Sequence, residues 1–570
     1  MEKVNFEYLR HSAAHLLAHA IYHLYPDTLF GIGPATKEGF FYDVVKANGT
    51  FKQEDLIKIT EEMKKIVDLD IPLSHHYISK IEGRKKFAYN KFKLDIIDNQ
   101  IVDDVVGIAT QGDFIDLCKG GHVPSTKFLK HFLLTQISGS YWRADRDGDK
   151  MQRISGIIFE TEEELNEYIK FQSELEKYDH RVLGREMELF AFHDEGPGFP
   201  FFYPKGMAII NALKNYIRKL TKLHGYQEIK TPTLLNQDLW KKSGHYAHYK
   251  DNMYCVHFDN NEYAIKPMNC PGAFIVFASK PRSYKELPLR LSEFGHVHRH
   301  ELSGALHGLT RVRAFTQDDA HIICLMSQIT SEIRMILKLM NQVMKKACLK
   351  ITKVVLSTRP EKASGSIEIW NKAIKSLQEA LAEEQLEYVI AEGDGAFYGP
   401  KIGFEMEDNF KRIWSCGTVQ LDFVQPENFN LNCINSSGEE ERVVVIHQAL
   451  FGSLERFFAI CLEHHKGKLP YWMVPVQIKI VAITENQKEY CQKIYELLLE
   501  KEVRVEFDSN NSDPLNAQLQ KSILANNYLT MIIGKKEVDS NSVSVRYNYT
   551  NKQENNILLE DLLHKLNQLL

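Results

Sequence analysis

The chain of 570 residues has no long hydrophobic run and no signal-peptide core. No apolar stretch reaches the roughly 18 residues of a membrane span. The N-terminus, MEKVNFEYLRHSAAH, is charged where a secretory signal is apolar. Internal repeats and low-complexity tracts are also lacking, so repeat arrays are excluded. These absences predict a cytoplasmic protein that needs no membrane.

Cysteine and net charge are both low. Nine cysteines, an odd number, are scattered along the chain, which argues against a disulfide framework. Free thiols are expected, with a few in metal or catalytic sites. The net charge is −5, so any contact with nucleic acid must come from local basic patches. The length predicts roughly three or four domains.

The segment from Leu291 to His321 predicts a β-hairpin. Two strand-like stretches, LSEFGHVHRHE and TRVRAFTQDDAH, flank the loop LSGALHGL. Residues two apart on a strand share a face, so Arg299 and Glu301 are expected to meet one ligand. The same holds for Arg311 and Arg313. Arginine forks suit phosphate, and a glutamate suits a purine amine. The alternative is a salt-bridged surface hairpin.

Histidines recur at every fourth position of a Leu- and Ala-rich segment that predicts a helix: His11, His15, His19 and His23. Much later, Cys118 and His122 flank a Gly-Gly turn in DFIDLCKGGHVPS. With the first two histidines they have the composition of a zinc site. They also suit a hydrolytic pocket in which a histidine is the base and Cys118 or Asp116 positions water. A partly buried polar stripe is the third interpretation of the histidines.

Other segments predict an anion site and two boundaries. Residues 160–180 are charged with helical periodicity, which indicates a solvent-facing linker helix. WSCGTVQLDFVQP predicts an edge-compatible strand with Thr418 and Gln420. In VVVIHQALFGSLERF, a strand and a Gly-Ser turn open a helix with an early Arg456, which favours anion binding. From about Val474, alternating strands and helices predict a small α/β domain.

Taken together, these segments resemble the motifs of threonyl-tRNA synthetases of the bacterial type, which belong to class II. GYQEIKTP resembles motif 1, the Leu291–His321 hairpin resembles motif 2, and HQALFGSLERF resembles motif 3. KPMNCPG, QDDAH and VIHQA resemble that family's zinc site. RHSAAH with DLCKGGHVP resembles its editing domain. The resemblance covers almost the whole chain.

The resemblance implies an α+β and α/β multidomain fold. An N-terminal α+β editing domain (1–160) and a linker helix (161–180) are expected. A catalytic domain (181–472) built on the antiparallel sheet of class II synthetases follows, and an α/β anticodon-binding domain (473–570) comes last. Only ten residues precede His11, so the ubiquitin-like domain common at the start of this family is expected to be absent.

The resemblance also implies ATP-dependent attachment of L-threonine to tRNA(Thr) through a threonyl-adenylate, by a homodimer. Mg²⁺ is expected with ATP, and one Zn²⁺ per subunit is expected on Cys270, His321 and His447. The implied catalytic residues are Arg299, Arg456 and His245. ATP would be bound by Arg299, Glu301, Arg311, Gln420 and Arg456. Threonine would be bound by Met268, Gln317, Asp319, Tyr398, Lys401 and Thr418.

Zinc cannot reject serine, which lacks only a methyl group, because one methyl discriminates by about 1–3 kcal/mol. The resemblance therefore implies hydrolytic editing of seryl-tRNA(Thr). The implied editing residues, acting without a required metal, are His11, His15, Lys93, Asp116, Cys118 and His122. Glu537 and Arg546 match the family's anticodon contacts. Ser415 and Gln448 depart from the family's usual residues near the active site.

Three rival functions explain less of the chain. A prolyl or seryl enzyme gives no reason for Cys270, His321 and His447. A metallohydrolase built on the N-terminal histidines leaves the arginines of motifs 2 and 3 unexplained. A non-catalytic RNA-binding regulator needs no ATP site.

Overall fold

The computed structural model describes residues 5–145, 147–258, 260–510 and 513–569. The chain divides into two compact units, Met1–Glu174 and Leu175–Leu570. Within the described residues, no helix combines the length and apolar character needed to cross a bilayer.

The first unit has mixed helices and strands. Its helices are α1 (Phe6–Leu24), α2 (Gln53–Asp68), α3 (Lys80–Lys86), α4 (Lys91–Asn99) and α5 (Glu162–Lys177), which runs past the division into the second unit. Its strands are β1 (Leu29–Phe30), β2 (Phe40–Val45), β3 (Leu73–Ser79), β4 (Val105–Gln111), β5 (Phe114–Leu117), β6 (His131–Tyr141) and β7 (Lys150–Phe159). They form two sheets, ordered β1-β2-β7-β6 and β3-β4-β5.

Helix α1 holds the core of this unit together. Its N-terminus is capped by Asn5, whose Oδ1 accepts a hydrogen bond from the backbone N–H of Glu7 at 2.9 Å. Nearly the whole length from Ser12 to Ile21 is buried, which fits its Leu- and Ala-rich sequence. By contrast, α5 buries no residue, as predicted for a solvent-facing linker helix.

The second unit begins with a large part built around one extended sheet. Its helices are α6 (His180–Glu186), α7 (Pro204–Leu223), α8 (Gln237–Lys242), α9 (His245–Tyr249), α10 (Cys270–Ala278), α11 (Ile329–Lys346), α12 (Ile367–Glu383), α13 (Val424–Asn428) and α14 (Leu454–His464). Its strands are β8 (Phe190–Ala191), β9 (Phe201–Phe202), β10 (Gln227–Glu228), β11 (Leu234–Asn236), β12 (Cys255–Phe258), β13 (Asn261–Ile265), β14 (Leu289–His298), β15 (Ala314–Cys324), β16 (Lys350–Ser357), β17 (Val389–Ala391), β18 (Lys401–Glu407), β19 (Ile413–Asp422), β20 (Asn432–Ile434), β21 (Glu440–Arg442) and β22 (Val444–Ser453).

An eight-stranded sheet organises this part, in the order β10-β14-β15-β22-β19-β18-β16-β17. Its pairs are antiparallel except for the outermost ones, β10-β14 and β16-β17. The predicted class II antiparallel core is therefore confirmed. Strand β19 lies between β18 and β22, so the prediction of an edge strand was wrong. Its alternating buried and half-buried residues serve an interior strand equally well.

The motif 2 hairpin is shorter than predicted. β14 ends at His298 and β15 begins at Ala314. Arg299, Glu301, Arg311 and Arg313 therefore lie in the connection, where the rule for residues two apart on a strand does not apply. Arg313 stabilises this loop, because it donates hydrogen bonds to the carbonyl of Glu301 in the loop at 3.0 Å and to that of Pro197 outside it at 2.9 Å.

The C-terminal part is an α/β domain, as predicted. Its helices are α15 (Lys488–Glu500), α16 (Leu515–Leu524), α17 (Lys535–Asp539) and α18 (Leu559–Asn567). Its strands are β23 (Ile478–Ala482), β24 (Val505–Phe507), β25 (Leu529–Ile533), β26 (Val543–Tyr547) and β27 (Lys552–Ile557). They form one sheet ordered β24-β23-β25-β26-β27. Helix α17 and strand β27 were not predicted, because both are short and polar.

Candidate active site and editing pocket

Cys270, His321 and His447 come together in the large sheet. Cys270 begins α10, and the two histidines lie on β15 and β22. These strands pair so that His321 and His447 are direct partners. The three ligand atoms lie within 4.8 Å of one another and all three residues are buried. One thiol and two imidazoles at this spacing are typical of a zinc site with an open position.

The local chemistry fits a metal. Nε2 of His321 is buried without a hydrogen-bond partner among the described residues, so its lone pair is available. Nε2 of His447 lies 2.8 Å from Oδ2 of Asp422, a carboxylate–histidine pair that orients the ring. Burial raises the pKa of the Cys270 thiol well above its usual value. A bound cation would be needed to hold that sulfur as thiolate.

The three candidate metal ligands line a cavity of about 520 Å³. The cavity wall contains most of the predicted ligand-binding residues: Met268, Cys270, Arg299, Gln317, Asp319, His321, Tyr398, Lys401, Thr418, Gln420, His447 and Arg456. Ser415 and Gln448, the two departures from the family pattern, also line it. Segments that are far apart in the sequence thus share one wall.

One side of the cavity suits an amino group. The Asp319 carboxylate accepts a hydrogen bond from Nδ2 of Asn269 at 3.0 Å, and burial raises its pKa to about 6. Tyr398 donates its hydroxyl to Oε1 of Gln420 at 2.5 Å. A buried carboxylate beside a metal site is a natural partner for an ammonium group, which would lower that pKa again.

Two arginines provide the anion-binding side. The Arg299 guanidinium lies 5.1 Å from the Phe315 ring, and its Nε donates to the carbonyl of Pro267 at 3.2 Å. Burial lowers the pKa of Arg299. Arg456 lies in the first turn of α14, which is capped by Ser453, and its Nε is buried without a partner in the described part of the chain. Both groups retain hydrogen-bond donors for phosphate oxygens.

Three predicted residues lie off the cavity wall. His245 is fully buried, with Nδ1 at 2.7 Å from Ser243 Oγ and Nε2 at 3.9 Å from Cys270 Sγ. Glu301 and Arg311 bind each other in the motif 2 loop, since two guanidinium nitrogens donate to Glu301 Oε2 at 3.0 and 3.1 Å. The structure does not bring these three side chains to the cavity.

Sequence reasoning missed Asp422 and Asp318. Asp422 orients His447, as described above, and its only sequence signal is its position two residues after Gln420 on β19. Asp318 is buried and accepts hydrogen bonds from the backbone N–H groups of Leu450, Phe451 and Gly452, each at 2.9 Å. It lies at the register shift between β15 and β22 beside the cavity, which no local pattern indicates.

The predicted editing residues meet in the first unit. The Cys118 thiol lies 3.4 Å from Nε2 of His11 and 3.2 Å from Nε2 of His122. Burial lowers the pKa of His15 well below its usual value and that of His122 to about 4, and it raises the pKa of Cys118 to about 11. The imidazoles of His15 and His122 are therefore uncharged near pH 7, and each keeps a lone pair that can accept a hydrogen bond.

An ion pair between Lys93 and Asp116 lies beside this cluster. Lys93 and Tyr42 both contact the buried Asp116 carboxylate, and Lys93 Nζ donates to the Tyr42 hydroxyl at 2.9 Å. Asp116 Oδ2 lies 3.6 Å from Nδ1 of His15. These residues line a cavity of about 920 Å³ together with Gly31, Gly33 and Gly120. This volume lies in the range of small-molecule binding sites.

The two predicted anticodon contacts, Glu537 and Arg546, lie in the C-terminal sheet region. Glu537 caps α17 by accepting from the backbone N–H of Gly534 at 2.9 Å, and it also accepts from Ser544 Oγ at 2.7 Å. Arg546 lies on β26 and donates to Asn551 Oδ1 at 3.0 Å. Ser544 and Arg546 share a face of β26, which brings the two predicted contacts to one region.

Three segments match known families. Residues 254–465 match the tRNA synthetase class II core domain (G, H, P, S and T), and residues 474–569 match an anticodon binding domain. Residues 106–155 match the threonyl and alanyl tRNA synthetase second additional domain. Fold, cavity and matches together define a class II aminoacyl-tRNA synthetase.

Sequence relatives show to which family of class II synthetases the chain belongs. The threonine–tRNA ligase of Carboxydothermus hydrogenoformans is 47% identical over 94% of this chain and 84% of that protein, and the one of Clostridium tetani is 46% identical over the same shares. Among solved structures, the RNA binding domain of threonyl-tRNA synthetase from Cryptosporidium parvum is 38% identical with a TM-score of 0.66, over 69% of this chain and 98% of that one. The chain belongs to the threonine–tRNA ligases.

Proposed function

We propose that this enzyme condenses L-threonine with ATP to a threonyl-adenylate and transfers the threonyl group to tRNA(Thr). The single observation that carries the proposal is the shared cavity of Cys270, His321 and His447 with Arg299 and Arg456. A metal group that recognises an amino acid and two phosphate-binding arginines face the same space. Adenylate formation requires both substrates to be held side by side.

The residues have distinct roles in this proposal. Cys270, His321 and His447 would hold Zn²⁺, which would supply open positions for the amino and hydroxyl groups of threonine. Asp319 and Gln317 orient the ammonium group, and Met268, Tyr398, Lys401 and Thr418 complete the amino-acid side of the wall.

Arg299 and Arg456 bind the phosphates and stabilise the charge that develops at the α-phosphate, with Mg²⁺ accompanying ATP. Gln420 contributes to the nucleotide side. Glu301 and Arg311 separate from each other to contact the base and the nucleotide. His245 assists transfer to the tRNA 2′-hydroxyl, which requires it to turn from its present site behind Cys270.

We further propose that the first unit hydrolyses seryl-tRNA(Thr). His11, His15, Cys118 and His122 surround a space beside the Lys93–Asp116 pair, and neutral imidazoles there can take a proton from an attacking water. Serine would satisfy both open zinc positions, so rejection must occur at a second site. Glu537 and Arg546 are proposed to contact the anticodon.

Family membership supports the remaining assignments. We propose domain limits of 1–160, 161–180, 181–472 and 473–570 for editing, linker, catalytic and anticodon-binding parts. A homodimer formed around motif 1, and a cytoplasmic location where tRNA is charged, complete the proposal.

The deciding experiment is ATP–pyrophosphate exchange across the amino acids. Threonine-dependent exchange supports the proposal, and exchange that depends on proline or serine alone contradicts it. Editing is tested separately by hydrolysis of seryl-tRNA(Thr) in His11→Ala and Cys118→Ala variants. Hydrolysis at the wild-type rate in both would refute the editing site, while threonine activation should be unaffected in either.

A further inference from the structure

A second group of side chains on α1 lies one helical turn beyond the editing residues. His19 and His23 approach Asp113, which lies in the turn between β4 and β5. Nε2 of His19 is 2.8 Å from Asp113 Oδ1, and Nε2 of His23 is 3.1 Å from the same oxygen. The two Nε2 atoms are 3.0 Å apart. Two imidazoles and a carboxylate thus converge on one point.

Protons satisfy at most two of the three contacts. If both Nε2 atoms carry a hydrogen, both can donate to Asp113 Oδ1, but the two N–H groups then crowd each other across 3.0 Å. If one carries it, the lone pair of the other faces the carboxylate oxygen at about hydrogen-bond distance with no hydrogen between them. A cation at the centre would instead accept all three lone pairs. Ligand atoms bonded to Zn²⁺ at about 2.0–2.2 Å lie about 3.3–3.6 Å from one another in a tetrahedral site. The three atoms, 2.8–3.1 Å apart, would need to move outward by only a few tenths of an ångström to hold an ion.

The outer nitrogens of both rings have partners that suit metal binding. Nδ1 of His23 lies 2.9 Å from Glu62 Oε1, so Nδ1 carries the hydrogen and Nε2 presents its lone pair. Nδ1 of His19 lies 3.0 Å from the side-chain amide of Gln111. Oε1 of that buried amide has no hydrogen-bond partner in the described part of the chain. Turning the amide by half a turn lets Oε1 accept from Nδ1–H and leaves Nε2 of His19 as a ligand.

We propose that His19, His23 and Asp113 bind a divalent transition-metal ion, such as Zn²⁺. The His19 side chain is fully buried, whereas Asp113 is 64% exposed, so the ion is reached from solvent and water can complete its coordination. Two imidazoles and one carboxylate favour Zn²⁺, Co²⁺ or Ni²⁺ over Mg²⁺ or Ca²⁺, which prefer oxygen ligands alone.

The ion has a structural consequence. It joins α1 to the turn between β4 and β5. Helix α1 carries His11 and His15, and strand β5 carries Asp116 and leads to Cys118. These are the elements that supply the editing cluster. The ion therefore has a structural role: it fixes α1 relative to the β4–β5 turn and so stabilises the 920 Å³ cavity.

The test counts Co²⁺ on the full-length protein. Wild type, His23→Gln, Asp113→Asn and a control, His76→Gln on an exposed position of β3, are stripped, loaded with Co²⁺ and desalted. Wild type and the control should each hold one equivalent more than His23→Gln or Asp113→Asn. The lost absorption should lack a thiolate charge-transfer band, because the site has no cysteine. Equal cobalt content in all four proteins would overturn the proposal.

Two further experiments distinguish this metal site from the editing cluster and test its structural role. In a Cys118→Ser background, Asp113→Asn should again remove one equivalent; no further loss would mean that the metal belongs to the editing cluster and would overturn the proposal. Added Zn²⁺ should lower deuterium uptake in Phe6–Leu24 and Val105–Leu117 of wild type but not of Asp113→Asn. Unchanged uptake in wild type would overturn the structural role proposed for the ion. Circular dichroism checks that the variants, whose altered side chains are partly exposed, fold normally.

Discussion

His321 and His447 face each other across adjacent antiparallel strands, with ring centroids 4.9 Å apart. Neither strand alone makes a site. Their register places one imidazole with a free Nε2 beside another that is held by Asp422. The start of α10 then brings the Cys270 thiol to the same point. Amino-acid recognition in this enzyme is therefore proposed to depend on strand pairing.

Removal of the thiol ligand tests the zinc proposal. We expect Cys270→Ser to lose bound zinc and threonine-dependent ATP–pyrophosphate exchange together, because a neutral hydroxyl is a far weaker ligand than a thiolate. Cys255→Ser, at an exposed cysteine outside the cavity, is the matched control and should retain both. Full exchange by a zinc-free Cys270→Ser protein would contradict the metal's role.

Asp422 is expected to act through His447. Asp422→Asn keeps the size of the side chain but removes the charge that orients the imidazole. We expect the zinc dissociation constant to rise by about 10–100-fold, as for other second partners of metal ligands. Competition with a chelator measures the shift. Exchange activity should recover at high added zinc, and failure to recover would indicate a role beyond zinc binding.

Arg456 is expected to be essential for adenylate formation. Its substitution by lysine preserves a charge but loses the planar fork of donors. We expect kcat for pyrophosphate exchange to fall by about 10²–10³-fold, the effect of removing one donor to a developing negative charge. Bound zinc should be unchanged, which separates this effect from loss of the metal site. A drop in zinc content would point instead to local misfolding.

The pair formed by Glu301 and Arg311 should affect ATP binding more than stability. It lies in the motif 2 loop, and the Arg311 side chain is 57% exposed. Exposed ion pairs contribute about 0–1 kcal/mol to the free energy of unfolding. We expect Glu301→Ala to raise the KM for ATP with little change in the melting temperature. Glu407→Ala, which breaks a comparable exposed pair with Lys411, should change neither.

The Lys93–Asp116 pair, unlike Glu301–Arg311, should contribute strongly to stability, because both of its side chains are buried. Asp116→Asn leaves a buried ammonium without its counter-charge, which costs about 3–5 kcal/mol. The double variant Lys93→Met/Asp116→Asn removes that charge and should be more stable than the single one. Deuterium uptake of Lys91–Asn99 reports the difference. A double variant no more stable than Asp116→Asn would contradict this account.

Much of this protein could be predicted locally. The four-residue spacing of histidines requires one face of a helix, and α1 shows it. Motif 3 predicted a strand, a turn and a helix with an early arginine, and β22 and α14 form them. These predictions succeed because backbone periodicity and turn chemistry depend on neighbouring residues.

Only the tertiary structure decided which side chains meet. Local periodicity placed Arg311 on a strand with Arg313, whereas the strand begins only at Ala314 and Arg311 pairs with Glu301. It gave no sign that Asp113 would join His19 and His23. Contacts between distant segments depend on strand register and on the burial of whole faces, and a one-residue change in register would separate His321 from His447. The residue types determine the chemistry of each site, and the pairing of strands decides which residues the site contains.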